Sequence, residues 1–87
     1  MNTARTILIV EDNATTAKTL RIFLQSEGYR VLIASGGHEA LKLFYAEKPD
    51  LVLLDLMMPD LDGIAVCSAI RSASSAPIVM LTAKTSE

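Results

Sequence analysis

Eighty-seven residues, 51% hydrophobic and 21% charged, suit one small globular domain and are too apolar for a disordered chain. A net charge of −2, with the eight Lys and Arg residues scattered, offers no field to hold a nucleic-acid backbone. No apolar run approaches the roughly 20 residues of a membrane span or forms a secretory leader, and the single Cys67 cannot make an internal disulfide, so a cytoplasmic location is expected.

Thr6 to Val10 is a short apolar run without alternation, the pattern of a strand buried on both faces. It ends on Glu11 and Asp12. Asn13 then has the chemistry of an N-cap, and from Ala14 to Glu27 the residues Ala17, Leu20, Phe23 and Leu24 repeat at helical spacing between Lys18, Arg21 and Gln25. Gly28 supplies a stop. Arg30 to Ala34 predicts a second strand, and Ser35-Gly36-Gly37 a turn before a helix from about His38 to Ala46, closed by Pro49.

Leu51 to Asp55 is the third predicted strand, again an apolar run that ends on a carboxylate. A loop follows, from Met57 through Pro59 to Gly63. In it Asp62 can cap a helix reaching about Ser72, and Leu61 can staple against Val66. Ile78 to Leu81 is the fourth strand. Strands alternating with helices of about ten residues imply βαβ crossovers and a parallel, doubly wound α/β sheet, whose ligand sites lie at the carboxyl ends of the strands where the winding reverses.

With the first and third strands adjacent, Glu11, Asp12 and Asp55 meet at one rim. Neighbouring strands lie about 4.8 Å apart, so the carboxylates would repel unless a hard cation shared them, and Mg2+ suits a site that also engages phosphate. An anionic carboxylate attacks a phosphoryl group only when that charge is neutralised, which makes Asp55 a candidate nucleophile and an aspartyl phosphate its product. Thr82, after Leu81, falls at the same sheet edge with a hydroxyl suited to a phosphate oxygen.

Three stretches carry a resemblance: Ile9 to Asn13, Leu54 to Gly63, and Leu81-Thr82-Ala83. In this order and at these strand ends they resemble the receiver domain of bacterial two-component response regulators. That resemblance implies a flavodoxin-like sheet of order 2-1-3-4 over the four strands present. It implies that Asp55 takes a phosphoryl group from a sensor histidine kinase or phosphotransfer protein, as a step of signal relay and not as an enzyme's turnover. Glu11, Asp12, Asp55 and the backbone carbonyl of Met57 are then expected to hold Mg2+, and Thr82 to bond the phosphate and move with the switch. By the same resemblance, Met57 and Lys84 occupy positions that vary in the family and are expected to influence the phosphate's lifetime.

Receiver domains of this kind run about five strands and five helices, and here the sequence stops at Glu87. The expectation is therefore a truncated receiver over residues 1–87, without the last strand, two helices and the lysine that pairs with the phosphate. Loss of one fixed cation would slow transfer by about 10² to 10³, by analogy with an oxyanion donor. A fourth strand left as an edge would favour self-association, as a dimer or by exchange of elements.

Other readings of the same residues are weaker. Asp60 and Asp62 fit turn and cap chemistry better than ligation, and His38 has no partner ligands for a metal set. Cys67 and the methionines suit packing. A phosphatase of the haloacid dehalogenase type would need an acid two residues after the nucleophile, where Met57 stands. A dinucleotide module would need a Gly-rich loop where Glu11-Asp12-Asn13 stands.

Overall fold

The computed structural model describes residues 4–55 and 63–81. Four strands and three helices alternate along the chain: β1 (Thr6–Val10), α1 (Ala14–Ser26), β2 (Arg30–Ala34), α2 (Gly37–Glu47), β3 (Leu51–Asp55), α3 (Gly63–Ala73) and β4 (Ile78–Leu81). All pairings are parallel and the order is β2-β1-β3-β4. β1, the run without alternation, is buried at every position because it has a neighbour on each side and helices over both faces. Among the described residues no helix is long and apolar enough to cross a membrane.

Each face of the sheet carries its own core. On one, Leu8, Val10, Val52 and Leu54 meet Ala40 and Phe44 of α2 and Val66 and Ile70 of α3. On the other, Ile7 and Ile9 meet Ala17 of α1, with half-buried Leu20, Leu24, Leu51 and Leu53 around them. The chain thus winds from β1 through α1 to β2 on one side and from β3 through α3 to β4 on the other. The reversal lies between the carboxyl ends of β1 and β3.

The helix ends differ from the sequence expectation by about one residue, for local reasons. α1 stops at Ser26 because Gly28 takes φ +97°, while its N–H and that of Tyr29 donate back to Gln25 and Leu24 at 3.0 and 3.1 Å, the geometry of a Schellman close. α2 starts at Gly37 rather than His38. Its cap residue Gly36 has no side chain to offer, and Glu39 reaches back instead, its Oε1 accepting from the N–H and hydroxyl of Ser35 at 2.9 and 3.1 Å. At the other end Pro49 disfavours helical backbone at Lys48, which turns left-handed with φ 49° while its N–H still bonds Phe44. α3 runs one residue beyond Ser72; Asp62 and Leu61, its expected cap and staple, lie outside the described residues.

The bottoms of β1 and β3 are also pinned together. Asp50 accepts from the N–H of Thr6 at 2.8 Å through its side chain and donates its own N–H to the Thr6 carbonyl at 2.7 Å. This fixes the register in which Val10 lies opposite Leu54. β4, the outer strand on the other side of β3, leaves Val79 and Met80 44% and 43% exposed.

Because Ile70 is wholly excluded from water between α3 and the sheet, Ile70→Ala is expected to destabilise the domain by about 2 to 5 kcal/mol. Urea unfolding followed by far-UV circular dichroism checks this, as a lower midpoint at unchanged slope.

Candidate functional site

The site is built where the winding reverses. β1 delivers Glu11 one residue past Val10, and the Glu11 N–H continues the ladder by donating to Ala34 at 2.9 Å. β3 delivers Asp55 one residue past Leu54, the partner of Val10, so the two carboxylates emerge side by side. Asp12 adds a third from the turn into α1. One carboxylate oxygen from each of Glu11, Asp12 and Asp55 lies within 4.8 Å of the others.

Burial makes this proximity costly. Glu11 is 8% and Asp55 5% exposed, while Asp12 is open to solvent. Burial pushes the Glu11 carboxyl above the usual carboxylate range. The backbone N–H of Asn13, donating to Glu11 Oε2 at 3.1 Å, pulls it down, whereas the hydrogen bond with Asp55 and the charges of Asp55 and Asp12 push it further up. Among the described residues, the charges that act on Glu11 are both negative. Three converging carboxylate oxygens with one side open to water form a donor set for a hard, oxygen-seeking cation that keeps part of its hydration.

The short turn after β1 holds this arrangement through Asn13. Its side chain caps α1 as the sequence predicts, Oδ1 accepting from Thr16 N–H at 3.0 Å, and its carbonyl accepts from Ala17 at 3.0 Å. Its main-chain N–H faces the opposite way, onto Glu11. That second contact has no signature in residue type, since any residue but proline offers the same donor.

Of the other expected site residues, Met57, Thr82 and Lys84 lie outside the described residues. The end of β4 does reach the same rim, because Leu81 pairs with Asp55. His38, on α2, is not among the grouped acidic residues, and half-buried Cys67 packs against the α2–α3 core.

A parallel 2-1-3-4 sheet with acids at its switch point is the architecture of receiver proteins, and the comparisons agree. The sequence pattern of the response regulator receiver domain matches residues 7–87. The chain belongs to that family. It is 52% identical over 83 residues to a probable transcriptional regulator, ycf27, of Guillardia theta, covering 95% of this chain and 33% of that protein. It thus spans about a third of that relative's length. A CheY-like receiver domain protein from Methanospirillum hungatei superposes with a TM-score of 0.92 at 28% identity, covering 97% of this chain and 68% of the other. The response regulator TrrA of Thermotoga maritima, solved in complex with Mg2+ and BeF, superposes at 0.86 with 39% identity, covering 93% and 71%.

The raised Glu11 pKa fixes the sign of a pH effect. A carboxyl titrating higher in the folded than in the unfolded chain contributes stability in acid, which is lost as pH rises through its folded value. Metal-free protein is therefore expected to lose stability from the ordinary glutamate range toward neutrality, and Glu11→Gln to remove that part of the loss. Urea midpoints of both proteins across a pH series check this; parallel profiles would contradict it.

Proposed function

We propose that this receiver accepts a phosphoryl group on Asp55 from a phosphohistidine of a sensor histidine kinase or phosphotransfer protein in the cytoplasm. The observation that carries the reading is the gathering of Glu11, Asp12 and Asp55 within 4.8 Å at the switch point of a sheet belonging to a phosphorelay family. Glu11, Asp12 and Asp55 would hold Mg2+, the ion named with the similar TrrA structure. By likeness to the family the Met57 carbonyl joins them, and Thr82 bonds the phosphate. The cation supplies the positive charge that lets one anion approach another.

The chain's own residues do the rest. Asp55, held at the end of a buried strand, presents an oxygen along a fixed direction, and the ladder bond of Glu11 keeps its neighbour from swinging away. In transfer, the bond between phosphorus and the donor's imidazole nitrogen breaks as the bond to Asp55 oxygen forms, and the released imidazole keeps its electron pair. Relay is a single stoichiometric event per aspartate, which accords with signalling rather than turnover. A transcriptional output for the whole protein is inferred only from the name of the ycf27 relative, of which the chain spans a third.

Incubation with Mg2+ and a small acyl phosphate, followed by mass spectrometry, tests this. A base-labile gain of one phosphoryl group is expected, absent in Asp55→Asn and without added cation. No gain in the unsubstituted protein would overturn the assignment.

A second reading rests on β4. Its exposed Val79 and Met80 on an outer strand favour pairing between copies of the 87-residue chain, as a folding and assembly unit that does not signal. Sedimentation is then expected to give a mean mass that rises with concentration, and Val79→Lys to return it to the monomer. A monomer mass at all concentrations would contradict this reading.

A further inference from the structure

The hydrogen bonds around the turn after β1 form an unbroken chain from the acidic rim to the first turn of α1. Glu11 is anchored below by its own N–H on Ala34, at 2.9 Å. Its carboxylate Oε2 is anchored above by the N–H of Asn13, at 3.1 Å. Asn13 is itself held by two bonds into α1, from Thr16 N–H to its side chain and from Ala17 N–H to its carbonyl, each 3.0 Å. Ala17 is buried against Ile7 and Ile9, so the far end of the chain is fastened to the sheet.

From this geometry we propose that Asn13 is a positioning residue for the cation site: its side chain clamps α1, and the clamped main chain aims the N–H that orients Glu11. The inference rests on the metal reading given above. Asn13 has φ −85° and ψ 111°, the extended cap conformation in which a side-chain oxygen folds over the helix while the N–H points outward. Without the cap oxygen, the first turn frays and the peptide carrying that N–H loses its fixed direction. The Glu11 carboxylate then samples orientations in which it does not converge with Asp12 and Asp55. Groups that orient a metal's ligands in this indirect way typically govern affinity by about 10- to 100-fold. Because linkage is reciprocal, a cation bound at the rim should in turn quiet the start of α1.

The test uses the 87-residue chain and Mg2+ alone, with no phosphodonor. Asn13→Ala, which loses the cap, is expected to weaken Mg2+ binding by roughly tenfold in a calorimetric or NMR titration. Asn13→Ser, which keeps a capping oxygen, is expected to bind within about twofold of the original chain. Ile70→Val controls for general destabilisation and is expected to leave Mg2+ affinity unchanged. In 15N spectra the amide of residue 13 should shift in Glu11→Gln, and Mg2+ should slow hydrogen exchange at Thr16 and Ala17. If the original chain binds Mg2+ and Asn13→Ala binds equally well, the positioning role is wrong while the metal site stands. Failure of the original chain to bind Mg2+ would overturn the metal reading and this inference together.

Discussion

The structure depends on the parallel pairing of β1 with β3, because that contact alone forces two buried acids together. Each strand could end on a carboxylate harmlessly if it stood elsewhere in the sheet. Placed side by side, with Val10 opposite Leu54, they deliver Glu11 and Asp55 into the crevice where the winding reverses. Asp50, bonded twice to Thr6, fixes the register at the far end of the same pair. A slip of one residue would turn the apolar set of β3 to the wrong face as well as separating the acids, so the core and the site share one geometric requirement. Stability supplied by Leu8, Val10, Val52 and Leu54 holds charges where they would not remain by themselves.

Much of this was legible because the strands are short, apolar and bounded by residues that have one plausible reason to be there. β1 and β3 have the bounds their composition implies, and Asn13 caps the helix it precedes. The order 2-1-3-4 follows from the family likeness and is the order found. What the pattern concealed has physical causes. Gly36 has no side chain to cap α2, though its carbonyl accepts from Ala40, and Glu39 three residues on reaches back to Ser35, so the helix begins earlier than the turn chemistry suggests. Lys48 closes α2 in backbone that favours glycine, which its residue type does not announce. The bond from Asn13 to Glu11 comes from a main-chain group, which leaves no trace in residue choice.

The two faces of the sheet are unequal. α2 and α3 pack together over one side, burying Val52 and Leu54 completely, whereas α1 covers the β1–β2 half of the other and leaves Leu51 and Leu53 half-buried. β4 is correspondingly the least buried strand, and its exposed Val79 and Met80 are what give the assembly reading its force. The acidic rim lies at the carboxyl end of the more thinly covered face: by strand alternation Asp55 follows Leu51 and Leu53, and Glu11 follows Ile7 and Ile9, on the side of α1.

That arrangement explains how a small charge change at the rim can have structural consequences. Without a bound cation the site is electrostatically unfavourable, since burial and two neighbouring negative charges raise the Glu11 pKa. Anything that neutralises the rim therefore contributes free energy that the bare fold lacks, and this energy is released where the structure has room to respond. On the α2–α3 side the packed core resists displacement, since interiors of this density tolerate little change in position. On the α1 side the load is carried by a few hydrogen bonds through Asn13. Braced by the α2–α3 core on one flank and through a single turn on the other, the rim is coupled most directly to the start of α1.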